Sequence, residues 1–257
     1  MPQSPFPPPL KPPVGPARPT GPPAASAPRP PWPVVYKPPA WQTFRSPRGT
    51  VKPLVVTLWV AIAVEAAVGI HALVDARMLT GALDDPDSVT QARLDLSDTL
   101  VTAGLAAQAL VHLVAAILFL VWFGRASANL TALGRPGRPA AWAVLSWFVP
   151  VAAWVVPKAV VNDLWRAGER RRDRPRILDA WWAAWIAAVV LSGLQLGEWL
   201  SAEELRAYRS ADRLELAASV ATIAAALLCM RVVRAITARQ EERGALPWTA
   251  PERPFGA

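Results

Sequence analysis

Residues Leu54–Val74 read LVVTLWVAIAVEAAVGIHALV, twenty-one residues with one acid, one histidine and no lysine or arginine. As a helix at about 1.5 Å per residue, this stretch is about as long as the hydrocarbon core of a bilayer is thick. Further apolar blocks follow at Leu100–Phe123, Ile177–Leu196 and Leu214–Val233, and a proline-interrupted one runs from Ala140 to Val161. Periodicity cannot separate a buried helix from a spanning one, but length can. In a chain of 257 residues the polar sequence left over is too short to wrap four such blocks, so lipid is the solvent that suits them.

Outward from these blocks the composition changes sharply. Residues 1–53 hold 19 of the 28 prolines and seven Lys/Arg without a single Asp or Glu. Proline removes backbone donors and favours polyproline II, so this tail is expected to be a disordered, semi-extended basic arm that buries nothing and is dispensable to about residue 50. The P-x-x-P spacings within it are nearly unavoidable at this proline density. The domain plan is therefore a 1–53 cytosolic tail, a 54–240 transmembrane helical domain and a short 241–257 cytosolic tail. No early apolar stretch follows Met1, so no cleaved secretory signal is expected.

The net charge of +8 comes mostly from arginines that flank apolar blocks. That placement orients a membrane protein and meets anionic lipid, and no nucleic-acid motif accompanies it. Arg outnumbers Lys 23 to four, which points to a GC-rich bacterial genome. The one cysteine, Cys229, excludes an internal disulfide and sits among Ala, Leu and Met as a small packed hydrophobe.

Charge also sets the expected topology. Lys/Arg number seven in the tail, three in 124–139, six in 162–176 and five in 231–257. The two remaining connections, 75–99 and 197–213, carry two and three, outnumbered by acids. All four basic regions fall on the cytosolic side when blocks one, two, four and five span and block three returns to the side it entered. Pro150 and Pro157 break the helical ladder of block three twice, which suits a re-entrant or interfacial segment sheltered by the other helices. Asp75 and Arg77 are expected to end the first helix, 75–99 to be a solvated acidic loop, and Ser97-Asp98-Thr99 to start the second helix.

Glu65 is the sharpest anomaly, because a carboxylate at mid-bilayer costs about 2.5–3.5 kcal/mol on insertion scales. Gln108 and His112, four residues apart on one face of the second block, reach similar depth in an antiparallel pair. A proton or cation relay is one reading. A neutral Glu65 tying two helices through Gln108 or His112 is favoured over it, since no third polar group stands out at that depth. Two histidines and one intramembrane acid make no metal set, and nucleophile elbows, P-loops and dinucleotide fingerprints are absent, so neither a cofactor nor enzymatic activity is expected. The small residues around Ala217, Ala221 and Ala225 point to close helix packing. Trp142, Trp147, Trp165, Trp181 and Trp199 fall near block boundaries, as an aromatic belt would.

The stretch Trp147-Phe148-Val149-Pro150-Val151, then Pro157, then Asp163-Leu164-Trp165-Arg166-Ala167 is more specific. With Trp181, Trp182 and Trp185 as a W-W-x-x-W helix, it resembles an actinobacterial membrane family catalogued as a domain of unknown function, number forty-three twenty-eight. Trp122, Phe123, Arg125 and Asn129 resemble that family's aromatic-Arg-Asn end of the second helix. The resemblance covers roughly residues 54–240, with Ala153 where the family often has Asn. It implies a bacterial cell-membrane location and carries no activity.

The expected fold is all-α: four spanning helices, a proline-broken third segment and both termini cytosolic. The expected function is that of a non-enzymatic scaffold or regulator, with the lipid bilayer and a cytosolic protein on the tail as its partners. The alternative is a small transporter or channel component using Glu65 and the segment around Pro150 and Pro157. Oligomeric state is not legible.

Overall fold

The computed structural model describes residues 43–133, 138–167 and 176–245. Residues 1–42, 134–137, 168–175 and 246–257 lie outside them, and with them the expectations for the proline-rich arm, the arginines at 135 and 170–174, and the end of the C-terminal tail.

All regular structure among the described residues is helical. The helices are α1 Arg48–Asp84, α2 Gln91–Ala132, α3 Ala140–Leu145, α4 Pro150–Ala153, α5 Val156–Ala167, α6 Arg176–Leu200 and α7 Leu205–Gly244. Helices α1, α2, α6 and α7 are long and apolar enough to cross a bilayer. Their outward faces carry exposed Val56, Ile70, Leu110, Leu113, Leu194 and Val220, a surface that suits lipid and not water.

Several expected boundaries need correction. Asp75 and Arg77 do not end α1, which runs on to Asp84. With 37 residues it extends about 55 Å, well past the hydrocarbon thickness. Charged side chains are compatible with a helix in water, and the break comes only at Asp85, where the following Pro86 disfavours helical backbone. The acidic loop is thereby reduced to a one-turn 3-10 helix, Pro86–Ser88, and its flanks. Helix α2 starts at Gln91, not at Ser97, and continues to Ala132, so most of the expected 124–139 connection is helix. Likewise the 197–213 loop shrinks to Ser201–Glu204, and α7 extends four residues beyond 240.

The prolines of the third segment start helices instead of kinking one. Pro150 is the first residue of α4 and Pro157 the second of α5, positions where a missing N–H leaves no intrahelical bond unmade. In α5, Pro157, Val160, Val161 and Leu164 are buried at helical spacing, while Lys158, Asn162, Asp163 and Arg166 lie off that stripe. Part of the expected arginine-rich connection is thus an amphipathic helix. It packs where α1 starts, α2 ends, α6 starts and α7 ends, here called the basal end. The third segment therefore returns to the end it left.

Around the bundle, α2 packs on α1, α1 on α7 and α7 on α6, whereas α2 and α6 have no Cα atoms within 8 Å of each other. The α1–α7 approach is close because small residues face it. A Cβ on Gly69 would stand 3.2 Å from Cβ of Ser219. Leu54, Trp122, Phe123, Leu164, Leu178 and Val233 are among the most fully buried side chains of the core, at the basal end.

Candidate functional site

Antiparallel packing of α1 on α2 brings Glu65, Gln108 and His112 together, as their positions in the two blocks imply. Glu65 is only 3% exposed. Gln108 Nε2 lies 3.3 Å from both Glu65 oxygens, and His112 Nε2 lies 3.4 Å from Glu65 Oε1. The cluster is larger than expected. Glu215 of α7 accepts from the same Gln108 Nε2 at 3.0 Å, and Ser219 Oγ is 3.5 Å from Glu215 Oε1. Two carboxylates therefore share one amide donor. Glu215 escapes a reading by block because it stands second in the fifth apolar stretch and looks like a boundary residue. Its spacing of four from Ser219, on the small-residue face of α7, is the signal that could have found it.

Below this cluster, toward the basal end, lies a cavity of about 400 Å³. Leu58, Ile62, Ala115, Phe119, Trp185 and Ala226 are among its apolar walls, with Glu65 and His112 at its polar end. The third segment contributes Trp147 and Phe148 to the wall. Trp147 bridges the gap between α2 and α6. Its ring meets Phe119 and Phe123 edge-on at 5.4 and 6.0 Å, and Trp182 and Trp185 at 6.1 and 5.4 Å. The W-F-x-P-V and W-W-x-x-W motifs thus meet in space, and their aromatic contacts tie α6 to α2 where the backbones stay apart.

The aromatic-belt reading suits Trp142 and Trp199, which are exposed, but not Trp165 and Trp181, which are buried, nor Trp147, which is packed among aromatic rings. Trp165 lies beneath the Arg239 guanidinium, 3.7 Å from ring to Cζ. Of the other motif residues, Pro157 is buried and Asp163 approaches Arg166 at 3.9 Å across one turn of α5. Lys158 pairs with Asp179 at 2.9 Å, which pins α5 to α6.

At the basal end a buried polar seam joins α2 to α7. Trp122 Nε1 donates to Thr237 Oγ1 at 3.0 Å, and Gln240 Nε2 donates to the Ala126 carbonyl at 3.0 Å. Asn129 Nδ2 donates to Gln240 Oε1 at 3.2 Å and to the Arg45 carbonyl at 2.9 Å. Glu241 accepts from Ser46 Oγ at 2.5 Å and lies 3.5 Å from Arg48 Nε. Pro47 is fully buried. The expectation that the tail buries nothing up to about residue 50 is therefore wrong for its last residues. A root of a few residues is built into the bundle, because the amide of Asn129 offers a donor and an acceptor to backbone that proline-rich sequence leaves unpaired.

No grouping of His, Cys, Asp and Glu among the described residues is arranged to hold a metal ion. A family model described as a domain of unknown function (DUF4328) matches residues 85–238, more than half of the chain. The match begins after α1, not at residue 54, so Gln108, His112 and Glu215 lie inside it and Glu65 outside. Neither a curated protein nor a solved structure matches the chain.

Proposed function

The chain belongs to the DUF4328 family, a domain of unknown function, and from that premise we propose a non-enzymatic scaffold or regulator of the bacterial cell membrane. Both termini face the cytosol, where the proline-rich tail and the basic connections engage a cytosolic protein or anionic lipid. The observation that carries this reading is the clamp of Asn129 on the backbone of Arg45. A tail that only trailed from the first helix would need no such root. Fixing residues 45–48 against α2 and α7 couples whatever binds the tail to the packing of the bundle. The test is proximity labelling from the N-terminus in a native bacterial host. The reading expects a set of labelled cytosolic proteins that is lost when residues 1–42 are deleted and the helical body is kept. An unchanged set after that deletion would remove it.

One observation favours a second reading, a small transporter or channel component: Glu65 and Glu215 share the Gln108 amide at membrane depth. Reconstituted vesicles would show a proton or cation flux that Glu65→Gln abolishes while the bundle stays folded.

A further inference from the structure

The cavity beneath Glu65 has a polarity that a helix-tying role does not require. Its lining residues include no lysine or arginine, and its charged chemistry is gathered at one end, where Glu65 and His112 face it. Glu215, outside the lining, shares the Gln108 amide with Glu65. Two carboxylates offer four acceptor oxygens, and the groups beside them that can donate are the Gln108 amide, reaching both carboxylates at 3.0 to 3.3 Å, His112 Nε2, 3.4 Å from Glu65, and the Ser219 hydroxyl, 3.5 Å from Glu215. Around this pair the carboxylate oxygens outnumber the side chains that can donate to them, and Gln108 reaches both acids. Apart from Thr222 and Cys229, the remaining wall is hydrocarbon and aromatic rings.

We propose that this cavity binds a small molecule with a compact apolar body and one protonated amine, the ammonium resting on Glu65 and the body lying against Phe119, Trp185 and Ala226. Three N–H donors of an ammonium would complete the acceptor set that Gln108 only begins. A volume of about 400 Å³ lies in the range of small-molecule pockets, and far smaller apolar cavities take up a single ring. A lipid acyl chain would fill the apolar part but leave Glu65 facing hydrocarbon, an unfavourable arrangement for an acceptor pair. Water is disfavoured along the leucine, isoleucine and alanine walls, where it lacks hydrogen-bond partners. An anion would meet the Glu65 carboxylate. The site depends neither on a partner of the tail nor on transport, since it concerns occupancy at equilibrium.

The experiment uses the full chain in lipid nanodiscs, with 1-adamantanamine as the probe and 1-adamantanol as its uncharged counterpart. Binding of tritiated amine is read by scintillation proximity, with empty nanodiscs subtracted to remove partition into lipid. Saturable binding of the amine is expected, with 1-adamantanol competing at least tenfold more weakly. Glu65→Gln should lower amine affinity at least tenfold and erase the preference over the alcohol. Ala226→Phe, which fills the cavity without touching the carboxylates, should abolish binding while the unfolding midpoint shows that the bundle persists. The proposal falls if the amine does not saturate, if the alcohol competes equally well, or if Ala226→Phe leaves binding intact in a folded protein.

Discussion

Asn129 grips the backbone of Arg45 with both halves of its amide: Oδ1 accepts from the Arg45 N–H at 3.0 Å, and Nδ2 donates to the Arg45 carbonyl at 2.9 Å. It is the pairing two strand residues make with each other, here made by a side chain. Because Asn129 is buried, the amide would be costly to leave unpaired, so the clamp and the path of residues 44–47 fix each other.

Asn129→Ala should therefore destabilise the protein by about 1–3 kcal/mol, since the Arg45 backbone groups lose their partner and the buried Gln240 loses a donor. The fall is read as a lower unfolding midpoint in detergent, accompanied by faster tryptic cleavage after Arg45. Deleting residues 1–42 should leave the midpoint unchanged, whereas deleting residues 1–50 should lower it as Asn129→Ala does. Equal midpoints for the two deletions would show that the clamp adds no stability.

Gly69→Leu should loosen α1 from α7, because its Cβ alone would come within 3.2 Å of the Ser219 Cβ. Overpacking of this kind costs about 1–3 kcal/mol. Gly69→Ala should cost less, and adding Ser219→Gly to it should recover most of the loss. A double-mutant cycle on unfolding midpoints checks this, and additive effects would mean that the two sites do not press on each other.

Topology can be read from either side of the third segment. In a Cys229→Ala background, single cysteines replacing Arg138 and Arg166 should resist an impermeant maleimide in intact cells and react once the membrane is opened. A cysteine replacing exposed Ser88 or Glu203 should react from outside. If Arg138 and Arg166 differ in accessibility, the segment crosses the membrane and four spans become five.

The spanning helices were legible because each is a run of apolar residues, and lipid imposes that pattern without help from tertiary contacts. Their ends were not. Asp75 and Arg77 read as a stop, yet charge limits only membrane depth, and the stop that mattered was Pro86 acting on Asp85. Glu65, Gln108 and His112 are legible together because polar residues stand out within apolar sequence. Glu215 did not stand out at the edge of its block, and only the inter-helix geometry brings it to Gln108. The indoles of Trp147 and Trp181 look like belt residues by position, but the α2–α6 gap that they help fill exists only in three dimensions.

The Glu65 cluster makes the most discriminating prediction about stability, because one donor serves two carboxylates. Removing that donor with Gln108→Leu leaves Glu65 and Glu215 facing each other without the amide between them, at an expected cost of about 1–3 kcal/mol. Glu65→Leu removes one acceptor and its charge, and should cost about 0.5–2 kcal/mol, the range for interhelical hydrogen bonds in lipid. Glu65→Gln keeps an oxygen for Gln108 to reach and relieves the crowding of negative charge, so its effect on stability should stay within about 0.5 kcal/mol. The order Gln108→Leu, Glu65→Leu, Glu65→Gln is the signature of an amide held between two acids. In the double variant Glu65→Gln/Gln108→Leu the cost should be smaller than the sum, since with Glu65 neutral the loss of the shared donor matters less. Unfolding midpoints of the four variants in one detergent supply the comparison. A Glu65→Gln midpoint as low as that of Gln108→Leu would show that the charge of Glu65, and not its hydrogen bond to Gln108, holds these helices together.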